Sequence, residues 1–95
     1  MACLVYLAAR SNSRLTADLA RAGYRVFEAH AVSEALYLCE IRNVDAIVIA
    51  ADVDEPDVVE AQLRRITIRL NPDATVKDLV WELSQLFPGK TMAVQ

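Results

Sequence analysis

The chain has 95 residues, of which 55% are hydrophobic and only 2 are Gly. This length and composition favour one packed domain over residues 1–95 and exclude a disordered or low-complexity segment. Acidic residues outnumber basic ones, 13 to 10, which gives a net charge of −3 and argues against nucleic acid as a partner, because such binders carry a basic excess or a basic face.

The first part of the chain alternates apolar runs with a segment of helical periodicity. The run over residues 3–9 is continuous and not alternating, which is typical of a strand buried on both faces. A helix is predicted next, capped by Ser11 or Asn12 and ended by Gly23. A second strand is predicted over residues 25–29.

A second helix and a third strand are predicted to follow. Ser33 is expected to cap the helix. Ala35, Leu36, Leu38 and Cys39 are then predicted to face the core. Residues 46–51 form another continuous apolar run, which predicts a third strand that is again buried on both faces.

The last part of the chain predicts two further helices and an alternating strand. Pro56 suits the first turn of a short helix. Residues 66–70 alternate in polarity, as expected of a strand with one wet face at the edge of a sheet. Residues 75–78 resemble a capping box with Asp in place of Glu, and they open an amphipathic helix over residues 76–87. Residues 90–95 are either a frayed tail or a short extra strand.

The order of these elements predicts the fold class. Strands alternate with helices, and two strands are buried on both faces, which indicates a three-layer α/β domain with a parallel sheet between helices. Right-handed crossovers limit the possible topologies. By analogy with flavodoxin-like folds, four strands in the order 2-1-3-4 are expected.

Residues 23–49 resemble the second strand, second helix and third strand of response-regulator receiver domains. The residues that carry this resemblance are Gly23, Tyr24, Ala29, Glu34, Ala35, Leu36 and Asp45. Asn71 and Pro72, followed by a helix, look like the Lys-Pro turn and last helix of a receiver. The resemblance implies a truncated receiver that lacks one central strand–helix unit.

The same resemblance implies that the phosphorylation pocket is degenerate. A receiver holds Mg²⁺ with an acidic pair after its first strand and accepts a phosphoryl group on an Asp at the end of its third strand. These positions fall here on Ala8, Ala9 and Ala50. A methyl group neither coordinates a hard cation nor attacks phosphorus. We therefore expect a non-phosphorylatable signalling and interaction module that is not an enzyme and has no cofactor or metal.

One alternative keeps the phosphorylation chemistry. In it, the chain is a phosphoaccepting response regulator that uses Asp52 as a non-standard acceptor. We favour the interpretation of Asp52 and Asp54 as solvated loop acids, because loops are generally wet and polar. Arg10 and Arg14 are expected beside the emptied pocket, where an anion site is the less favoured interpretation.

The remaining polar and sulfur-bearing residues predict no catalytic site. His30 is expected at the end of the second strand as a loop histidine without a role, since no acid–base partner is evident. Cys3 and Cys39 form no CxxC pair and are predicted to be buried free thiols. No apolar run approaches the roughly 20 residues of a membrane span, and the start of the chain lacks a signal-peptide pattern. A cytoplasmic protein with no membrane partner is expected.

Two apolar surfaces are candidates for protein contacts. Trp81 is predicted to project away from the apolar stripe of the last helix, toward Lys77 and Gln85, and Trp is enriched at interface hot spots. Tyr37 and Ile41 form a second apolar pair away from the inward side of their helix. With the open edge of the last strand, these residues predict a homodimer or another protein partner.

Overall fold

The computed structural model describes residues 2–87, and these residues form alternating strands and helices. The strands are β1 (Cys3–Leu7), β2 (Arg25–Ala29), β3 (Ala46–Ile49) and β4 (Thr67–Arg69). The helices are α1 (Ser13–Arg21), α2 (Val32–Ile41), α3 (Pro56–Leu63) and α4 (Val76–Leu86). The predicted tail over residues 90–95 lies outside the described residues.

The four strands form one parallel sheet in the order β2-β1-β3-β4. In its register, Leu4 of β1 pairs with Val26 on one side and with Ala46 on the other. The prediction of a flavodoxin-like α/β fold with strand order 2-1-3-4 is confirmed. All carboxyl ends of the strands therefore meet at one edge of the sheet, which is where such folds bind ligands.

Each face of the sheet is covered by two helices and has its own core. α1 and α4 pack on one face, where the buried side chains include Leu4, Leu19 and Leu83. α2 and α3 pack on the other face, around Val5 and Ile47. Successive residues of β1 alternate between these two cores because side chains of a strand point alternately to opposite faces. The continuous apolar run of β1 follows from this double burial.

Local capping explains where two of the helices begin. The side chain of Asn12 accepts a hydrogen bond from the backbone N–H of Leu15, with an O···N distance of 3.0 Å, and so begins α1. At α4, Thr75 and Asp78 form the predicted capping box through two hydrogen bonds of 3.2 Å. Both caps satisfy N–H groups that have no partner within the helix.

Three local predictions are wrong. Ser33 does not cap α2, because the helix already begins at Val32 and has no side-chain cap. Near this end of the helix, the Glu34 carboxylate accepts a hydrogen bond of 2.9 Å from the N–H of His30. Leu36 is 37% exposed and not buried in the core. β4 is shorter than the alternating run, so that Ile66 precedes the strand and is 51% exposed.

Candidate functional site

The candidate site lies at the carboxyl edge of the sheet, between the ends of β1 and β3. The helices that follow these adjacent strands lie on opposite faces, α1 on one and α3 on the other. In open α/β sheets such a divergence leaves a crevice, and ligands bind there. The three alanines that the sequence resemblance singles out, Ala8, Ala9 and Ala50, fall at this crevice.

The structure brings together the three alanines that the resemblance singles out. Ala8 and Ala50 are buried directly after β1 and β3, and Ala9 follows on the exposed loop. The N–H of Ala50 donates a 2.9 Å hydrogen bond to the carbonyl of Leu7, which fixes the two strand ends side by side. Within residues 2–87, no cluster of three or more His, Cys, Asp or Glu side chains forms a candidate metal site.

Asp52 connects the loops on the two sides of this crevice. Its Oδ1 accepts a hydrogen bond of 3.0 Å from the N–H of Ala9, and its Oδ2 accepts one of 3.2 Å from the N–H of Arg10. Asp52 is exposed on its loop, as expected of a solvated acid, and in addition both of its carboxylate oxygens bind successive backbone N–H groups. Hydrogen bonds of this kind to an ionised acceptor are stronger than neutral ones. Asp52 thus fastens the β1–α1 loop to the β3–α3 loop.

His30 also takes part in this edge, although the sequence predicts no role for it. Its Nδ1 lies 3.0 Å from the carbonyl oxygen of Ala8, and its Nε2 lies 3.5 Å from the hydroxyl oxygen of Ser11. A carbonyl only accepts, so Nδ1 must carry the hydrogen, and in the neutral ring Nε2 accepts from Ser11. His30 therefore links the β2–α2 loop to the β1–α1 loop.

Two cavities flank the segment that carries Asp52. The smaller, of about 240 Å³, lies on the α3 side and is lined by residues that include Ala8, His30 and Asp52. The larger, of about 520 Å³, lies between α1 and the β4–α4 connection, and Ala51 belongs to its lining. Asp52 therefore lines the smaller cavity, whereas Ala51, the residue before it, lines the larger one.

The two arginines expected beside the emptied pocket are separated. Arg14 lines the larger cavity, next to Tyr6 and Asn12. The backbone N–H of Arg10 donates a hydrogen bond to Asp52. Arg10 is not part of the described lining of either cavity. Burial of the Tyr6 phenol raises its pKa, although the hydrogen bond with Asn12 acts in the opposite direction. The structure thus places Arg14 at the larger cavity, whose lining includes none of the three alanines, whereas Arg10 directly follows Ala9 in the loop.

The predicted interface residues fall on opposite faces of the molecule. Trp81 is 66% exposed on α4, and Lys77 and Gln85 are exposed on the same helix. Tyr37, which is 60% exposed, and Ile41 lie on α2, across the sheet. The two groups cannot form one continuous patch.

The open edge of β4 is partly protected. Arg69 on this strand forms ion pairs with Asp57 and Glu60 of α3. The hydrogen bonds and charges of Glu60 and Asp57 raise the pKa of Arg69. A short strand that carries a charged side chain is a poor template for pairing with another strand.

The structure also shows the positions of the two cysteines and of Asp45. Cys3 and Cys39 are free and buried, as predicted, and burial is the main cause that raises the pKa of the Cys3 thiol. Asp45, which carries part of the receiver resemblance, accepts a hydrogen bond of 2.8 Å from the N–H of Cys3. Its carboxylate therefore ties the start of β3 to the start of β1.

Among residues 2–87, no helix combines the length and the hydropathy that a membrane span requires.

Comparison with known proteins identifies no relative of this chain. No family model, curated protein or solved structure matches the chain.

Proposed function

We propose that this chain is a receiver-like signalling module of the cytoplasm that acts by protein contact and is not phosphorylated. The observation that carries the proposal is the chemistry of the crevice. Methyl groups of Ala8, Ala9 and Ala50 occupy the positions where a receiver needs oxygen atoms. Without those oxygens, neither Mg²⁺ coordination nor attack on a phosphoryl group has a donor at these positions.

The engagement of Asp52 supports the same proposal against the alternative of a non-standard acceptor. A nucleophilic carboxylate must present an oxygen to phosphorus, whereas both oxygens of Asp52 accept backbone hydrogen bonds from Ala9 and Arg10. Donation from two N–H groups withdraws electron density from both oxygens and makes this carboxylate a weaker nucleophile. No second carboxylate stands on β1 to hold a metal beside it.

A phosphodonor experiment separates the two functions. The purified protein is incubated with Mg²⁺ and acetyl phosphate, and its intact mass is measured, with a variant that carries Asp52→Ala in parallel. We expect no stable gain of one phosphoryl group in either protein. A gain in the wild type that disappears in the variant would establish Asp52 as the acceptor and overturn the proposal.

The contact surface that we propose is the exposed face of α4, and the partner is a second copy of the chain. Trp81 supplies a large apolar anchor, and such residues dominate interface energetics. Lys77 and Glu82 place charges of both signs on the same helix. This suits a two-fold interface, in which one patch must complement itself. The edge of β4 is less suited because Arg69 is tied to α3.

Measurement of the molar mass in solution tests this surface. We expect a concentration-dependent dimer in the wild type and a monomer after Trp81→Ala. Tyr37→Ala is the matched control, because it removes an equally exposed aromatic side chain from the opposite face. A monomeric wild type, or an equal effect of the two substitutions, would contradict the α4 interface.

A further inference from the structure

The larger cavity at the carboxyl edge has the dimensions of a small-molecule site. Its volume is about 520 Å³, within the range of roughly 300–1,000 Å³ that ligand pockets occupy. It lies where α1 and α4 both begin, beyond the ends of the strands. This position is separate from the alanine-lined crevice and does not depend on the proposed function.

The charge of the cavity lining favours an anion. Arg14 lines the cavity, and within residues 2–87 no ion pair engages its guanidinium. Asp18 is the acidic residue of the lining, and it is already paired with Arg21 at 2.7 Å. The first turn of α1 contains no acidic residue. Arg14 therefore adds its charge to the positive end of the α1 dipole instead of being neutralised.

Uncharged donors line the same cavity as this cation. Tyr6 is only 5% exposed and lines the cavity. Burial raises the pKa of its phenol, so that the hydroxyl keeps its hydrogen at neutral pH. The amide of Asn71 also belongs to the lining. An arginine beside neutral donors is a typical arrangement for the recognition of carboxylate or phosphate groups.

Apolar side chains form another part of the lining and can cover the body of a ligand. Leu15 contributes from α1, Leu70 and Pro72 from the β4–α4 connection, and Val76 from α4. A pocket that combines an apolar wall with a few convergent polar groups is the usual form of a small-molecule site. Inorganic phosphate alone would leave this wall without a contact.

We propose that this cavity binds a small organic anion, in which a carboxylate or phosphate lies against Arg14 and an apolar body packs against Leu15 and Leu70. The oxygens are planar in a carboxylate and tetrahedral in a phosphate. Both headgroups share oxygen atoms that an arginine can bind with two hydrogen bonds. The neutral hydroxyl of Tyr6 supplies a further donor.

Titrations followed by the backbone amide NMR signals test the proposal. The probes are phenyl phosphate and benzoate, which share an aromatic body and differ in the headgroup, and benzyl alcohol is the uncharged control. For a ligand of this size we expect saturable binding with a Kd of about 1 mM. The largest shifts are expected at Arg14, Asn71 and Val76. The tighter of the two anions identifies the preferred headgroup.

Two arginine variants then test the role of the cation. Arg14→Ala is expected to weaken binding about tenfold, the loss typical of a charged hydrogen-bond donor. Arg10→Ala is the matched control, because it removes the same charge from the loop before α1, outside the cavity. Tyr6→Phe is expected to weaken binding by a smaller factor, because it removes one neutral donor.

Several outcomes would overturn the proposal. These are an absence of saturation with both anions, equal effects of the two arginine substitutions, and binding of benzyl alcohol as tight as that of the anions. Shifts confined to the smaller cavity, around His30 and Val59, would likewise place the site elsewhere. None of these results bears on the phosphodonor experiment, which tests a separate pocket.

Discussion

Removal of the Asp52 carboxylate should loosen the carboxyl edge of the sheet and lower the free energy of unfolding. The substitution Asp52→Ala deletes the hydrogen bonds of 3.0 and 3.2 Å to the N–H groups of Ala9 and Arg10. A hydrogen bond to a charged group contributes about 1.5–3 kcal/mol when it is well shielded. Asp52 is exposed, so water replaces part of each bond, and we expect a total loss of about 1–2 kcal/mol.

Urea unfolding followed by far-ultraviolet circular dichroism measures this loss. In thermal unfolding, a free-energy loss of this size corresponds to a decrease in Tm of roughly 4–16 °C for a domain of this length. Asp54→Ala is the matched control, because it removes an exposed carboxylate from the same loop. In addition, hydrogen exchange at the amides of Ala9 and Arg10 should become faster after Asp52→Ala. Equal losses of stability for the two variants, or unchanged exchange at these amides, would refute the reasoning.

Three further perturbations test the packing, the capping and the buried phenols. Leu83→Ala removes a fully buried side chain from the core between α4 and the sheet. The free energy of unfolding, measured with urea, should fall by about 2–5 kcal/mol, and a loss below about 1 kcal/mol would contradict the described burial. Thr75→Ala removes the cap of α4 and should cost about 1 kcal/mol in the same assay, whereas no change would exclude the capping box as a stabilising feature. Burial raises the pKa values of Tyr6 and Tyr24 above their usual 10.0, so the unfolded chain releases these protons first and stability should fall as the pH rises above 10.0. Tyr6→Phe should make this alkaline loss shallower, and an unaltered slope would count against a buried phenol.

The two central strands were predictable because double burial leaves a direct mark in the sequence, whereas the strand order came from the analogy with flavodoxin-like folds. The continuous apolar residues of β1 and β3 have no polar alternation, since both faces of a central parallel strand meet a core. The capping box at Thr75 and Asp78 was equally accessible, because its partners lie three residues apart and depend on local geometry alone.

The bonds that shape the candidate site were not predictable in the same way. Asp52 contacts Ala9 across 43 residues of chain, and His30 contacts Ala8 across 22. Such pairs meet only after the sheet has formed, and no local pattern marks them. Leu36 was misplaced for another reason: α2 carries apolar residues at several positions around its axis, so that periodicity does not determine which of them face the core.

The proposed function requires that the carboxyl edge of the sheet has no functioning Mg²⁺ and phosphoryl site. The most direct measurement is an NMR titration with Mg²⁺, alone and with beryllofluoride as an analogue of the phosphoryl group, observed at the amides of Ala9, Arg10 and Ala50. We expect no saturable shift at these residues, with Asp52 remaining bonded to the two loop amides. Saturable shifts centred on them, with loss of the Asp52 hydrogen bonds, would contradict the account.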